Sequence, residues 1–303
     1  MITSRIRKFS LFIALLSNIL VVYSQQKADE IEISDFKDPK FAYNEGPKVF
    51  VDHAHNNFHK ISGRFKPFKN LLVKDGYQID SLVNLNDLKN TDVFVISNAL
   101  NAKNIGNWQR PIYDAFSNDE IAIIKNWVEN AGSLLLIADH MPMAGAANTL
   151  ADAFGFDFCD GFAYLKKEKP STPDVFSYEN GRYLKQNIIT NNIDSVTTFT
   201  GSSFSIPEKA IGILKFTSAD YCLAPEVAWQ FNDTTKRTSL KNKYQGAILE
   251  FGKGKVAVFG EAAMFTAQTV TNASGTFKFG FHSEQAPNNI QFIRDILFWL
   301  SKK

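Results

Sequence analysis

Three of the five histidines of this chain lie within one short stretch, residues 49–59. A run of β-branched and aromatic residues, 49–51, changes abruptly there to Asp, His and Asn. This pattern is typical of a buried strand whose carboxyl end opens into a polar loop. Residues i and i+2 of a strand point to the same side, so His53 and His55 could converge on one ligand. A hydrogen-bonded polar turn without a ligand is the alternative.

Three further apolar runs also end in polar residues. Residues 93–96 lead into Ser97 and Asn98, residues 134–138 lead into Asp139 and His140, and residues 256–259 are followed closely by Glu261. Parallel strands place their carboxyl ends at one edge of a sheet, and ligands bind at that edge in open α/β proteins. We therefore expect these distant polar groups to meet there.

Such an edge could carry out metal-assisted hydrolysis or elimination. Three imidazoles could hold zinc or a similar divalent ion, namely His53, His55 and His140. Three carboxylates could act as general acid or base beside a metal-bound water, namely Asp52, Asp139 and Glu261. A substrate would contact the nearby amide and imidazole groups of Asn56, Asn57, Asn98, Gln268 and His282. The leading hypothesis is a hydrolase-like enzyme, metal-dependent in one version, acting on a carbohydrate or another small substrate.

Two other interpretations stay open. The same edge could bind a sugar or peptide without catalysis, with Trp108 and Arg110 as a clamp. Alternatively, the chain could be a cell-envelope scaffold with a degenerate site. A serine nucleophile at Ser97 is disfavoured because no G-x-S-x-G turn is present. No nucleotide cofactor is expected, since the segment 252–254 (Gly-Lys-Gly) lacks the spacing of a phosphate-binding loop.

The elements that must position these residues alternate between strand and helix. Apolar residues at helical spacing predict helices over 65–74, 144–154 and 290–300. Ser117 and Glu120 form a capping-box pattern that predicts the start of another helix. Residues 246–251 and 256–259 predict a hairpin. Together they indicate an α/β fold with a doubly wound, mostly parallel sheet and an irregular insertion at about 156–243.

Residues 1–24 are typical of a secretory signal peptide, with Arg5, Arg7 and Lys8 before an apolar segment; an uncleaved anchor is the alternative. A polar lead-in, 25–47, would then precede a single α/β domain, 48–303. Loss of the three positive charges changes the net charge from +2 to −1, which leaves no basic footprint for nucleic acid. We expect a secreted or periplasmic protein without a transmembrane segment after cleavage. The two cysteines, Cys159 and Cys222, could pair, but the sequence leaves this open.

Several segments resemble the class I glutamine amidotransferase-like superfamily, and most closely its secreted, poorly characterised bacterial branch. The segments that carry the resemblance are 52–55, 132–140, 260–265, 288–292 and 298–300. The resemblance implies a flavodoxin-like fold. True amidotransferases place a nucleophilic Cys after a central strand, whereas here the corresponding strand leads into Asp139 and His140. Glutamine hydrolysis by a thiolate is therefore not expected.

Overall fold

The computed structural model describes residues 25–167, 173–183, 189–190, 193–272 and 275–302, so the predicted signal segment lies outside the described residues. The described part of the chain forms four α-helices: α1 (Lys66–Lys74), α2 (Asn118–Glu129), α3 (Met143–Asp152) and α4 (Asn289–Ser301). It also forms strands β1 (Gln25–Ala28), β2 (Lys48–Asp52), β3 (Gln78–Leu82), β4 (Val93–Ser97), β5 (Ser133–Ile137), β6 (Asp157–Cys159), β7 (Phe162–Tyr164), β8 (Asp174–Ser177), β9 (Ser195–Thr198), β10 (Ser203–Ser205), β11 (Ile211–Lys215), β12 (Tyr221–Ala224), β13 (Lys236–Ser239), β14 (Tyr244–Phe251), β15 (Gly254–Phe259), β16 (Ala267–Asn272) and β17 (Gly275–Gly280).

The main sheet has a parallel half and an antiparallel half. Strands β3, β2, β4, β5 and β15 lie side by side in that order, and every pair among them is parallel. Counted along the chain, this is the 2-1-3-4-5 order of flavodoxin-like sheets. Beyond β15 the sheet continues antiparallel through β14, β10 and β6, and β11 also pairs with β14. The structure thus confirms both the predicted fold class and the predicted hairpin of β14 and β15.

The central strands β4 and β5 are buried at every position and mostly apolar, because helices cover both faces of the sheet. Successive side chains of β4 alternate between the two faces: Val93 and Val95 lie in one core cluster, and Phe94 and Ile96 lie in the other. Helices α1 and α4 contribute to the first cluster, and α2 and α3 to the second. A doubly wound sheet therefore arises directly from the continuous apolar runs of the sequence.

Local capping fixes where α2 begins, as the sequence predicts. The Glu120 amide donates to Ser117 Oγ at 3.3 Å, and the Ser117 amide donates to Glu120 Oε2 at 2.8 Å. At the end of α1, Gly76 has a φ of +91°, a left-handed conformation that glycine adopts without a Cβ clash. These ends orient the loops that carry the polar residues.

Residues 156–243 supply β6 to β13 between α3 and the hairpin. Three of these strands, β6, β10 and β11, extend the main sheet, while β7, β12 and β13 form a separate three-stranded sheet. A disulfide between Cys159 and Cys222 joins β6 to β12, so the two cysteines, whose pairing the sequence left open, are paired.

Ahead of the main sheet, β1 pairs with β16 in another small sheet. None of the helices described here has the length and apolar character needed to cross a membrane.

Candidate functional site

A cavity of about 300 Å³ lies at the carboxyl edge of the parallel strands, and we call it the inner cavity. Loops that follow β2, β4, β5 and β15 each contribute to its wall. Its lining combines polar side chains with aromatic rings: Gln26, Phe58, His59, Asn98, Trp108, Asp139, His140, Met143, Phe199, Thr200, Trp229, Ala263, Gln268, Val270 and Phe279. The winding of the sheet thus gathers Asn98, Asp139, His140 and Gln268 as the sequence predicted.

Asp139 and Glu261 form a pair of interacting carboxyl groups, which we call the carboxyl pair. Glu261 is fully buried behind the cavity, where its Oε1 and Oε2 accept hydrogen bonds from the amides of Ala263 and Met264, each at 2.8 Å. Burial raises the pKa of both groups, and repulsion from Asp139 raises that of Glu261 further. Two adjacent buried carboxylates do not ionise independently, so the pair retains one proton at pH values where a free carboxyl group loses it.

The two carboxyl groups share this proton, because both accept backbone amides: Glu261 those of Ala263 and Met264, and Asp139 that of His140. Asp139 is only partly buried and is the member of the pair that lines the inner cavity. A ligand in the cavity therefore meets Asp139 as a proton donor.

His140 follows Asp139 in the chain, and aromatic side chains pack around its imidazole ring. Its ring stacks on Phe162 with a centroid separation of 4.6 Å, and the edge of Trp229 lies 4.7 Å away. Its Nδ1 lies 2.7 Å from the carbonyl oxygen of Met141, and a carbonyl can only accept, so Nδ1 carries the proton. Nε2 then has a free lone pair, and it makes no hydrogen bond within the described part of the chain. This tautomer suits a base or a hydrogen-bond acceptor.

His59 forms the opposite wall of the cavity and is neutral. Asn98 Nδ2 lies 3.1 Å from its Nδ1, and the side-chain amide of Gln268 lies 3.3 Å from its Nε2. Burial is the main reason that the pKa of His59 falls to about 3. The positive charge of Arg64 lowers this pKa as well. At neutral pH His59 therefore contributes a polar, uncharged surface.

Asn98 joins two of these loops and has a left-handed backbone, with φ +52°. Its Oδ1 accepts the amide of Asp139 at 2.9 Å, which fixes the loop after β5. We predict that Asn98→Gly lowers the free energy of unfolding by about 1–3 kcal/mol, because buried partners lose their hydrogen bonds. Asn98→Ala should cost roughly 1 kcal/mol more, since alanine resists the left-handed conformation. Urea denaturation of both variants measures the difference, and equal stabilities would contradict the argument.

Asp52 and His55 form a second buried cluster that does not line the inner cavity. Asp52 Oδ2 lies 2.8 Å from His55 Nδ1 and accepts Asn57 Nδ2 at 2.9 Å. On the other side of the ring, His55 Nε2 lies 3.3 Å from Glu120 Oε1. Burial alone would lower the pKa of His55, but the bonds and charges of Asp52 and Glu120 outweigh it and raise this pKa. The cluster ties the histidine loop to the start of α2.

This bridge predicts a pH-dependent contribution to stability. A histidine whose folded pKa exceeds its unfolded value stabilises the fold fully below about pH 6.5, and the contribution is lost as the pH rises through the folded pKa. We expect His55→Gln to destabilise the protein most at low pH, with the difference from wild type shrinking between about pH 6.5 and pH 9. Glu120→Gln keeps the capping box but removes one charge, so it should show a smaller change. Chemical denaturation across this range measures it, and a pH-independent difference would rule out the bridge.

The remaining predicted residues lie in other environments. His53 Nε2 accepts the amide of Ile61 at 3.1 Å, and Asn56 Nδ2 donates to the carbonyl of Leu100 at 3.1 Å. Asn57 is held by Asp52. His282 lies next to Asp29 and lines a second cavity rather than the inner one. These side chains stabilise loops, so the expected substrate contacts of Asn56 and Asn57 are not formed at the inner cavity.

The expected metal ligands do not come together. Among the described residues, no group of three His, Cys, Asp or Glu side chains is arranged to hold a metal ion. Strand β2 ends at Asp52, so the rule that places i and i+2 on one side no longer applies to His53 and His55. Each imidazole instead has its own protein partner. The residues present do not fit the zinc-like centre that the sequence suggested.

Two important contributors were not predicted. His59 is not among the candidate residues from the sequence, yet it is buried in the cavity wall. The sequence feature that could have identified His59 as a site residue is its position in the same polar stretch as His53. Trp229 comes from the irregular middle of the chain, and nothing in its local sequence indicated that it would pack against His140.

Comparison with known proteins supports the fold. No protein-family model and no curated protein sequence matches this chain. Among solved structures, the mmIFT52 N-terminal domain superposes with a TM-score of 0.58 at 15% identity, covering 84% of this chain and 98% of that domain. A ThuA-like protein from Bacteroides uniformis gives 0.49 at 12% identity, covering 86% and 94%. Cytoplasmic protein STM1381 from Salmonella typhimurium LT2 gives 0.49 at 13%, covering 84% and 99%.

The strand order and the first of these superpositions therefore place the fold in the flavodoxin-like α/β class. At such low identity, the similarity to the mmIFT52 N-terminal domain shows a shared fold and nothing about activity. The other two superpositions are too loose for a functional comparison. A thiol nucleophile is not available, because both cysteines of the chain are joined in the disulfide. Any function must be argued from the side chains of the inner cavity.

Proposed function

We propose that this protein is a secreted or periplasmic hydrolase-like enzyme that cleaves a carbohydrate or similar small polar substrate in the inner cavity. It would belong to the secreted branch of the amidotransferase-like superfamily without the Cys nucleophile. The observation that carries this proposal is the placement of a proton-retaining carboxyl group, Asp139, next to an imidazole with an open Nε2, His140. An acid and a base on consecutive residues, facing one cavity, can serve both halves of a hydrolytic step.

The acid step falls to Asp139. As the bond between carbon and the leaving oxygen breaks, Asp139 transfers its proton to that oxygen. Glu261 does not line the cavity, and its role is to repel a second negative charge in the carboxyl pair, so that the pair keeps one proton for transfer through Asp139. A carboxyl group with a raised pKa is suited to this donation near neutral pH.

The base step falls to His140. Its Nε2 accepts one proton from a water molecule as the water oxygen bonds to the substrate carbon. The carbonyl of Met141 holds Nδ1–H at 2.7 Å and thereby supports the imidazolium that forms. After the step His140 is protonated and Asp139 is ionised, so a proton passing back between them through solvent restores the starting state.

The wall of the cavity suits a ring that carries many hydroxyl groups. Asn98, Gln268 and His59 present neutral donors and acceptors, whereas Phe58 and Trp108 present apolar faces. A sugar ring has the same two kinds of surface, C–H groups on its faces and hydroxyls around its rim. Ligand sites of this kind are typically apolar with a few placed polar groups.

The cellular location is part of the proposal. The disulfide between Cys159 and Cys222 favours an oxidising compartment, because cytosolic thiols are kept reduced. Residues 1–24 add the sequence pattern of a secretory leader. Both point to the periplasm or the exterior, and fractionation of expressing cells tests this directly.

Activity should be sought with the oxidised mature chain. A panel of 4-methylumbelliferyl glycosides, tested from about pH 4 to pH 9, would report turnover by fluorescence. The expected result is turnover of at least one glycoside, unaffected by a metal chelator and with a bell-shaped dependence on pH, as expected for a general acid acting together with a general base. Saturable binding of sugars without turnover would instead favour the ligand-binding interpretation, and the absence of both would overturn the proposal.

A further inference from the structure

Two cavities of the molecule are adjacent and share part of their lining. Beside the inner cavity lies a larger one of about 1040 Å³, which we call the outer cavity. The walls of both include the same four residues, Phe199, Thr200, Trp229 and Phe279. A ligand in the inner cavity that extends past these residues would reach the outer cavity. We call the four shared residues the junction.

Trp229 is the most unusual residue of this junction. It has a left-handed backbone with φ +69°, although its side chain is bulky. That conformation costs an ordinary L-residue roughly 1–2 kcal/mol. Two backbone hydrogen bonds hold this turn and offset the cost of the left-handed conformation. The Ala228 amide donates to the carbonyl of Trp108 at 2.8 Å, and the Gln230 amide donates to the carbonyl of Val227 at 3.1 Å. Backbone strain of this kind is concentrated at ligand clamps and active sites.

The strained turn presents the indole to a ligand. Trp229 packs against His140 at 4.7 Å and against Phe162 at 4.5 Å, yet half of its surface stays exposed. An indole with so much exposed apolar surface is unfavourable in water unless a partner covers it. Since Trp229 lines both cavities, the covering partner would lie across the junction, directly beside the reactive groups.

The outer cavity continues the same alternation of surfaces. Tyr164 and Tyr221 stack with ring centroids 5.5 Å apart, and Phe277 is 45% exposed. Between these rings lie hydroxyl, amide and ammonium groups, including those of Thr276, Gln285 and Lys278. Aromatic faces with an apolar body and neighbouring polar groups can hold successive sugar rings, because each ring needs both an apolar platform and hydrogen-bond partners.

We infer that the two cavities bind one chain of several sugar units, with Trp229 as the platform at the point of cleavage. One unit occupies the inner cavity against Asp139 and His140, and the following units cross Trp229 into the outer cavity. The inner cavity has a volume at the lower limit for ligand sites, so it accommodates little more than a single ring. The inference rests on the proposed function, since it takes the reacting bond to lie beside Asp139.

The test measures affinity against chain length. In an Asp139→Asn background, where bound chains stay intact, malto-, cello-, xylo- and chito-oligosaccharides of one to six units are titrated by calorimetry. In at least one series we expect the Kd to fall about tenfold or more between one and three units, which corresponds to one good aromatic platform. Adding Trp229→Ala should remove most of this gain, and it should weaken the binding of chains of two or more units by a larger factor than the binding of a single unit. Trp229→Phe should keep part of the gain.

Tyr43→Ala is the matched control, because Tyr43 is 80% exposed and lines neither cavity. It should leave the dependence on chain length unchanged. Trp229→Ala keeps the left-handed backbone and loses the packing against Phe162, so circular dichroism and the melting temperature are measured to confirm that it is folded. Affinity independent of chain length in every series, or no binding at any length, overturns the inference. If the inference fails in this way, turnover of a single-unit glycoside that is lost in Asp139→Asn would still support the proposed function. If binding depends on chain length but turnover does not depend on Asp139, only the catalytic role of Asp139 would be wrong.

Discussion

Replacing Asp139 by Asn is expected to reduce turnover by about 10²–10⁴-fold, the usual contribution of a positioned general acid. Asparagine has nearly the same shape as aspartic acid, and its Oδ1 can still accept the amide of His140. The variant should therefore bind the same ligands with similar affinity. Its thermal stability should be equal to or greater than that of wild type, because the repulsion within the carboxyl pair disappears. Turnover and binding are measured on the same preparation.

Asp157→Asn provides the control for this substitution. Asp157 is an exposed carboxylate at the start of β6 and lines neither cavity. Its replacement changes the net charge by the same amount and should leave turnover unaffected. If Asp139→Asn retained wild-type turnover, the acid would have to be another group and the proposed mechanism would be wrong.

The second large effect concerns His59 and acid stability. Its pKa is about 3 in the folded protein, against 6.5 for an ordinary histidine, so only the unfolded chain binds a proton between these values. Stability rises with pH where the unfolded state holds more protons, so this contribution is present above about pH 6.5 and is lost as the pH falls toward 3. Between about pH 6.5 and pH 4 the loss amounts to roughly 3 kcal/mol.

His59→Gln separates this term from the titration of other groups. Glutamine cannot take up a proton, so the free energy of unfolding of this variant should decline less between about pH 6.5 and pH 4 than that of wild type. The variant will be less stable at neutral pH, because its packing against Phe58 and Phe65 is lost. The difference between the two curves, followed by guanidinium denaturation, is therefore the relevant quantity. Parallel curves would show that His59 is solvated or titrates normally.

The two histidines of the same loop thus shift stability in opposite directions. His59 is buried without a negative partner, so it resists protonation. His55 is also buried, but two carboxylates contact its ring, and it favours protonation. Both residues are histidines of the same loop, and they differ only in the side chains that other segments place around them. Sequence alone could place both residues on one loop but could not assign their charge.

The sheet could be predicted because its signals are local. The apolar runs of β4 and β5 are fully buried, as strands covered on both faces must be. Ser117 and Glu120 predicted the start of α2 from two residues alone. Parallel winding then placed Asn98, Asp139 and Glu261 at one edge, which follows from connectivity rather than from any single contact.

The orientation of individual side chains could not be predicted in the same way. Beyond Asp52 the backbone leaves the strand and turns, with Asn56 at φ +48°, so alternation no longer indicates where a side chain points. This is why His53 and His55 do not meet as the metal hypothesis required. Trp229 depends on pairing between segments far apart in the chain, such as the bridge of Gln109 with Val227. Such long-range contacts carry no local pattern.

The central claim is that the carboxyl pair holds a proton at neutral pH, and infrared difference spectroscopy tests it without any substrate. Wild type minus Asp139→Asn, recorded near pH 7, should show the C=O stretch of one protonated carboxylic acid, which Glu261→Gln should also remove or displace. On acidification the wild-type band should not grow until ordinary carboxylates begin to protonate. A difference spectrum containing only ionised carboxylate bands near pH 7 would contradict the account, since Asp139 would then have no proton to donate.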